Sequence, residues 1–156
     1  GVELNYTQPF TFLPGFLSNL GVLANYTYVK ANLTYPGPGG TGTVVGPLTD
    51  LSKETINGTL FYEDDLLSLR GSVSYRSPYV EAFGGGAREQ STEEGVNSSL
   101  TVDASIGINV TPQITLTIEG NNLTNETKDQ YIDEDNRVVL NHTFGRQFYF
   151  GVRAKF

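Results

Sequence analysis

The chain has 156 residues, enough for one ordinary domain, and a formal net charge of −7 from 17 acidic and 10 basic residues. It has no cysteine and a single histidine, which excludes disulfides and thiolate metal sites and leaves a zinc site dependent on carboxylates. The net negative charge and the lack of a Lys/Arg cluster argue against a nucleic-acid partner. The chain has no apolar run of about 18 residues, which excludes a transmembrane helix but not transmembrane β-strands.

Alternation of apolar and polar side chains predicts seven β-strands, beginning with residues 2–7. Residues 9–15 predict a compact turn, because their prolines do not fit inside a central strand. The second strand is predicted as one long segment over residues 17–35. Residues 36–47, rich in proline and glycine, are expected to form a solvated loop.

Four further strands follow in two pairs. Residues 56–62 and 67–76 alternate and are separated by a tight acidic turn, and residues 100–110 give the cleanest alternation in the chain. A short turn leads from there to a sixth strand at 114–119. Long connections are predicted from about residue 80 to 96 and again, with acidic character, before the last strand.

The last twelve residues predict a strand that runs to the final residue. From Phe148 onward every second side chain is apolar, and the polar side of the alternation carries Arg153 and Lys155. Chain termini fray unless they are paired, so this strand is expected to pair with another. Closure into a transmembrane barrel explains that pairing.

The predicted connections alternate between short and long, which is typical of an up-and-down outer-membrane barrel. A soluble sandwich would show Greek-key crossovers instead. We therefore predict an all-β, antiparallel up-and-down transmembrane β-barrel wall of about seven to eight strands. Because bacterial barrels have even strand counts, either an eighth strand lies near residues 130–136 or the chain belongs to a larger wall. We expect residues 1–156 to be a single segment, a fragment without plug domain or signal peptide.

Three stretches resemble TonB-dependent outer-membrane receptors: residues 9–15 leading into 21–28, residues 119–126 (EGNNLTNE), and the ending 145–156. They are similar to the late barrel strands, a stretch near the C-terminus and the final strand of such receptors. The resemblance implies a 22-stranded barrel that is closed by a plug and imports a scarce ligand with energy from an inner-membrane complex. This chain would be about the last third of that barrel. Its partners would be the outer-membrane lipid bilayer, the remaining strands and plug or further copies of itself; no cofactor and no enzymatic activity are implied, and the ligand is not indicated.

The final strand also resembles the signal by which the barrel-assembly machinery recognises its substrates. An exposed terminal strand offers its backbone edge, and alternate side chains give specificity. The simpler reading is an outward apolar face, and both readings are compatible. The signal residues are Phe148, Phe150, Val152 and Phe156.

A set of charged residues is predicted to face the lumen. They are candidates for contacting ligand or plug, or else a hydrated lining whose charges compensate one another, which is the reading we favour because polar lumens are general in barrels. The set comprises Glu3, Arg70, Arg76, Asp103, Glu119, Arg153 and Lys155.

Aromatic residues fall into two predicted groups. Tyr26, Tyr28, Tyr62 and Tyr75 lie towards strand ends and suit an interfacial belt. Tyr79, Phe83 and Tyr131 fall on the long connections, where stacking on sugars is an option, although most loop aromatics have no specific role.

Several other patterns are read as structural. The acidic stretch 129–135 invites a calcium site, but it lacks EF-hand spacing and we favour a solvated loop. Nine Asn-x-Ser/Thr triplets occur, several in mid-strand, and polar lining explains them better than glycosylation. Gly84-Gly85-Gly86 lacks the strand-to-helix context of a phosphate loop, and one histidine supports no catalytic triad.

Two other functions stay open at this point. One is a small self-contained outer-membrane barrel with a structural or adhesive role. The other is a soluble or self-assembling β-sheet fragment whose open edges pair between copies.

Overall fold

The computed structural model describes residues 1–84, 93–132 and 136–156. In these residues the chain forms thirteen β-strands and two short 3-10 helices, Gly15–Asn19 and Pro38–Gly40. The strands are β1 Val2–Pro9, β2 Leu20–Tyr28, β3 Asn32–Pro36, β4 Thr43–Pro47, β5 Glu54–Glu63, β6 Leu67–Arg76, β7 Tyr79–Phe83, β8 Glu93–Val96, β9 Ser99–Thr111, β10 Ile114–Asn121, β11 Thr127–Ile132, β12 Arg137–Thr143 and β13 Gln147–Ala154.

Seven of these strands form one antiparallel sheet, the main sheet, in the order β1-β2-β5-β6-β9-β10-β13. Each strand pairs with the next main-sheet strand along the chain, so the sheet is a meander. Short connections join β1 to β2, β5 to β6 and β9 to β10, whereas long connections all leave the opposite end. The predicted seven strands and the alternation of short and long connections are confirmed for this sheet.

The pairing register sorts the main sheet into one apolar and one polar face. Residues directly opposite each other on paired strands point to the same side. One row illustrates the apolar face: Leu116 lies opposite Ile108 on one side and Val152 on the other. The exposed large side chains of this face are Val2, Leu4, Tyr6, Tyr28, Ile56, Leu60, Leu69, Val73, Leu100, Ile106, Ile108, Ile114, Leu116, Ile118, Phe148, Phe150 and Val152.

Among the described residues there is no hydrophobic core against which the apolar face of the main sheet could pack. The buried apolar side chains of the described residues are Val80, Val96 and Ile132, and all three belong to strands outside the main sheet. By contrast, Phe150 and Val152 keep 78% and 72% of their surface exposed. A face of this composition is normally covered in a folded protein.

The polar face is hydrogen-bonded along its rows. Asn25 donates through Nδ2 to Oδ1 of Asn5 at 2.6 Å, and the Ser74 hydroxyl donates to Oδ1 of Asn57 at 2.8 Å. These four residues form one register row across β1, β2, β5 and β6. Three of the Asn-x-Ser/Thr triplets therefore have their asparagine on this polar face, and their role as the lining of a lumen stays a prediction.

The strands of the main sheet are staggered rather than level. A single register row runs from Gln8, the seventh residue of β1, through Val22, Leu60, Gly71, Ala104 and Gly120 to Phe148, the second residue of β13. The starts of β1 and β13 are thus offset by about five residues over six neighbouring strand pairs. With about 3.3 Å per residue along a strand and about 4.8 Å between strands, the strands are tilted by about 30° from the perpendicular to the line that joins these two starts.

The long connections are not the loops that the sequence pattern predicts. They contain a second sheet in the order β12-β11-β8-β7 and a two-stranded hairpin of β3 and β4. The solvated loop expected at 36–47 is therefore wrong over β4. The extra strand sought near residues 130–136 exists in part as β11, but it belongs to the second sheet. The expected seven to eight strands describe the main sheet only.

The prediction of one strand over residues 17–35 is also wrong. Residues 15–19 form a 3-10 helix, β2 ends at Tyr28, and β3 begins at Asn32. The reason is the partner strand: β5 begins at Glu54, opposite Tyr28, so the chain beyond Tyr28 has no neighbour in the main sheet. It pairs locally with β4 instead, which no alternation pattern could reveal.

β1 and β13 lie at the two edges of the main sheet, each with one paired neighbour. No helix among the described residues is long and apolar enough to cross a membrane.

Candidate functional site

A cleft of about 460 Å³ opens where the polar face of the main sheet meets the second sheet. We call it the junction cleft. Main-sheet strands provide its floor, whereas β7, β8, β11 and the adjoining loops provide its sides. Its lining comprises Arg76, Tyr79, Val96, Asn97, Ser99, Thr101, Asn122, Glu126, Thr127, Lys128, Phe144, Gly145 and Gln147.

Arg76, the last residue of β6, is held in a fixed position in this cleft. Its Nε donates to the Ser52 hydroxyl at 2.5 Å and its Nη2 donates to the Asp50 carbonyl at 3.1 Å. The guanidinium carbon lies 3.9 Å from the centre of the Tyr79 ring, a cation–π contact. These contacts orient the guanidinium without neutralising it, because both acceptors are uncharged.

Lys128, on β11, is the second cation of the cleft. Its Nζ lies 3.0 Å from Oε1 of Glu81, whose Oε2 accepts from the Gln130 amide at 2.7 Å. The hydrogen bond to Glu81 raises the pKa of Lys128, whereas burial and the positive charge of Arg76 act in the opposite direction. Glu81 thereby ties β7 to β11 across the shorter strand β8.

Asn122 closes the cleft on the β10 side and uses its whole side chain to do so. Its Nδ2 donates to the carbonyls of Glu126 and Gly145 at 3.0 and 3.2 Å, and its Oδ1 accepts from the Glu126 amide at 2.7 Å. Its own amide donates to Oδ1 of Asp103 at 2.7 Å. With φ at 54°, Asn122 adopts the left-handed conformation that asparagine tolerates. The stretch 119–126, on which the family resemblance partly rests, thus links β9, β10 and the start of β13 through hydrogen bonds.

The predicted lumen-facing set lies on the polar face where it falls in strands. Arg76 shares a register row with Glu3, while Arg70, Ser105 and Glu119 share another. Asp103 and Arg153 lie opposite the polar residues Ser72 and Thr115, and Lys155 follows the end of β13. Within the described ranges none of the seven forms an ion pair with another described residue, so the set does not compensate its charges by direct contact. Only Arg76 lines the junction cleft.

The predicted assembly-signal residues occupy the exposed end of the chain. Phe148, Phe150 and Val152 lie on the apolar face of the edge strand β13, and Phe156 follows it with its side chain fully exposed. Their role in assembly stays a prediction.

Two of the three aromatic candidates of the long connections, Tyr79 and Tyr131, line a second cleft of about 400 Å³, whereas Phe83 does not. Tyr79 lines the junction cleft. Phe83 instead packs inside the fold, with its ring 5.5 Å from that of Tyr35 and directly over Gly46, where a Cβ would lie 2.3 Å from it. The hydroxyl end of Tyr131 lies over Gly95, and burial and the carboxylate of Glu93 raise its pKa.

The predicted acidic stretch is only partly visible, because residues 133–135 lie outside the described residues. Its first member, Asp129, lies on β11 and accepts hydrogen bonds from the side chains of Asn141 and Thr127. Among the described residues no group of three His, Cys, Asp or Glu side chains is placed to hold a metal ion.

Sequence reasoning identified Arg76 and Tyr79 separately but missed that they stack, and it missed Lys128 and Asn122 as parts of one cleft. The separation of Arg76 from Tyr79 by only three residues, across Ser77-Pro78, was a usable signal, since it places both at one strand junction. The contribution of Lys128 required knowledge of the second sheet.

Comparisons with known protein families, with curated protein sequences and with solved structures find no match to this chain.

Proposed function

We propose that this chain forms the C-terminal part of the wall of an outer-membrane β-barrel receptor that takes up a ligand, of the TonB-dependent kind, with no catalytic activity of its own. The observation that carries the proposal is the division of the main sheet into one exposed apolar face and one polar face. In this assignment the apolar face contacts lipid and the polar face lines the lumen.

The size of the apolar face supports a lipid partner. Covering a Leu, Ile or Phe side chain contributes roughly 1.5–3 kcal/mol, so leaving the whole face in water would forgo several times the net stability of a domain. Patches that extend beyond a few hundred Å² mark membrane or protein contacts. Every main-sheet strand contributes exposed apolar residues, as a wall surrounded by acyl chains requires.

The geometry of the strands supports the same assignment. The stagger gives a tilt of about 30°, close to the roughly 35–45° of membrane barrels. Main-sheet strands of 8 to 13 residues match the roughly 9–11 residues that a tilted membrane strand needs. Tyr26, Tyr28 and Tyr75 lie on the apolar face near the long-connection end and Tyr62 near the other end, as expected for interfacial belts.

Four further features support a receptor that is part of a larger barrel. The long connections build a second sheet and a cleft at one end, which we assign to the cell exterior. The edges of β1 and β13 suit pairing with the remaining strands of a larger barrel. The sequence resemblance to TonB-dependent receptors adds uptake to this assignment, and the exposed terminal strand suits recognition by the barrel-assembly machinery.

The runner-up function is a self-assembling sheet in which copies pair through β1 and β13. The same two edges favour it, because an unpaired edge strand is a template for another chain. A small self-contained barrel is the other alternative. A density map of the chain in detergent separates all three by showing whether β13 pairs with β1 of the same chain, of another copy or with another polypeptide.

Cysteine labelling tests the membrane assignment directly, because the native chain has no cysteine. Leu60 lies on the apolar face and its neighbour Thr59 on the polar face of β5. In membranes, a charged maleimide is expected to react with Thr59→Cys much faster than with Leu60→Cys, and in SDS the two rates should converge. Equal rates in membranes contradict the assignment.

A further inference from the structure

The junction cleft has the size of a small-molecule site and contains polar groups without a hydrogen-bond partner among the described residues. Its volume of about 460 Å³ lies within the range of roughly 300–1,000 Å³ that is usual for such sites. Several of its polar side chains make no hydrogen bond to another described residue. They are the side-chain amide of Asn97, the hydroxyls of Ser99 and Thr101, and the NH₂ group of Gln147. The other side-chain atom of Gln147, Oε1, accepts a hydrogen bond from the Tyr149 hydroxyl at 2.7 Å.

Arg76 supplies a fixed positive charge to the cleft. Its Nε and Nη2 are engaged by Ser52 and Asp50, so the guanidinium cannot swing away, yet Nη1 has no acceptor among the described residues. No carboxylate of the described residues pairs with it. A planar guanidinium with unused N–H groups is the protein group best matched to a carboxylate.

The remaining charges limit the ligand to one anionic group. Lys128 is already neutralised by Glu81 at 3.0 Å. Glu126 also lines the cleft, and its carboxylate accepts no hydrogen bond from the described residues. A second acidic group on the ligand would therefore meet repulsion from Glu126, whereas hydroxyl groups could donate to it.

The apolar part of the lining suits the faces of a sugar ring. Tyr79 and Phe144 both line the cleft, and Phe144 is 64% exposed despite its size. An exposed ring beside free amides and hydroxyls combines the two contacts that a pyranose offers, C–H faces and hydroxyl edges.

From these observations we propose that the junction cleft binds a monoacidic saccharide, with its carboxylate on Arg76, its hydroxyls on Asn97, Ser99, Thr101 and Gln147, and a ring face against Phe144. This inference rests on the proposed function for its biological role, since it names the ligand class of that receptor.

The test uses the full chain in lipid nanodiscs and D-glucuronate as the probe, with D-glucose and acetate as matched probes for the sugar and the charge alone. Binding followed by NMR or calorimetry is expected in the roughly millimolar range for one sugar unit. Glucuronate should bind at least about tenfold more tightly than glucose or acetate, because only it satisfies both parts of the cleft. Comparable binding of acetate or of glucose overturns the proposal, as does no binding of glucuronate.

Variants locate the binding. Arg76→Gln should weaken glucuronate binding at least about tenfold, while Arg70→Gln, the same charge change on the polar face outside the cleft, should leave it unchanged. Because Arg76 also orders the segment around Ser52, Thr101→Val provides a second variant that removes only a hydroxyl and should weaken binding several-fold. Equal losses in Arg76→Gln and Arg70→Gln, or no loss in Thr101→Val, contradict the proposal.

Failure of this inference is distinguishable from failure of the proposed function. If labelling protects Leu60→Cys in membranes while glucuronate does not bind, the wall assignment stands and the ligand class is wrong. If glucuronate binds as described but Leu60→Cys labels as fast as Thr59→Cys, the cleft is a binding site on a protein of another kind.

Discussion

The backbone amide of Asn122 donates to Oδ1 of Asp103 at 2.7 Å, which joins the end of β10 to the polar face of β9. The Asn122 side chain continues this connection to Glu126 and Gly145. Asn122 therefore joins the main sheet to the loop after β10 at the edge of the junction cleft, together with the hydrogen bonds from the Leu123 amide to the Val102 carbonyl and from the Thr124 hydroxyl to the Leu100 carbonyl.

Asn122→Asp should destabilise this end of the sheet by about 1–3 kcal/mol. Aspartate has the same size as asparagine and also tolerates the left-handed backbone conformation. The change replaces the NH₂ donor by a carboxylate oxygen, which is repelled by the two carbonyl oxygens of Glu126 and Gly145. Denaturant unfolding of the chain in detergent measures the effect.

Asn125→Asp is the matched control for this variant. Asn125 has the same backbone conformation, with φ at 56°, but its side chain makes no hydrogen bond to another described residue. The control should change stability by less than about 0.5 kcal/mol. Equal losses in the two variants would show that added charge, rather than the lost donor, is responsible.

Adjacent residues on β10 should respond oppositely to a charge. Leu116→Arg places a cation on the apolar face and should lower stability in lipid by about 2–4 kcal/mol, whereas Thr117→Arg places it on the polar face and should cost far less. Folding titrations into lipid vesicles check the difference. Similar costs for the two variants would contradict a lipid-facing apolar side.

The tight turn between β5 and β6 should weaken in acid. Asp64 accepts from the Tyr62 hydroxyl at 2.5 Å and from the Leu67 and Leu66 amides at 2.7 and 2.9 Å, and these bonds hold the pKa of its carboxyl below the ordinary value of 3.8. Because the folded-state pKa is lowered, the contribution of Asp64 is fully present above that ordinary value and is lost as pH falls through the folded pKa.

Asp64→Asn should therefore be less stable than the native chain near neutral pH, with a difference that shrinks as pH falls below about 4. Unfolding curves at several pH values measure it. Asp65→Asn is the control, since the Asp65 side chain makes no hydrogen bond to another described residue. A difference for Asp64→Asn that is independent of pH would contradict this role.

The second sheet should loosen when Glu81 is removed. Glu81→Ala breaks contacts to Lys128 and Gln130 together, and since Lys128 is 38% exposed the loss should be about 1 kcal/mol or less. Hydrogen exchange of the β11 amides should become faster while that of β10 is unchanged. Unchanged exchange in β11 would show that strand pairing alone holds the second sheet.

The contact between Lys128 and Glu81 should also depend on pH. Because the folded-state pKa of Lys128 is raised, the contact is present below the ordinary lysine pKa of 10.5 and is lost as pH rises through the folded-state pKa.

The predictability of this fold from sequence differs between its two sheets. Strands such as β9 were predictable because each of their faces has a constant environment, which imposes strict alternation from Leu100 onward. The residues of β11 are partly or fully buried on both faces, and β12 contains the apolar run Val138-Val139-Leu140. Neither strand therefore shows an apolar-polar alternation in its sequence. For the same reason the lining of the junction cleft could be predicted from the sequence only in part. Arg76 lies in a predictable strand, whereas Lys128 is positioned by strand pairings between residues that are far apart in the sequence.

The most direct test of the central claim uses the absence of tryptophan from the native chain. Leu116→Trp and Thr117→Trp place a single fluorophore on opposite faces of β10. In vesicles with brominated acyl chains, strong quenching of Leu116→Trp and weak quenching of Thr117→Trp are the predicted result, because only the apolar face contacts lipid. Equal quenching of both, or of neither, would contradict the account of the main sheet as a membrane wall.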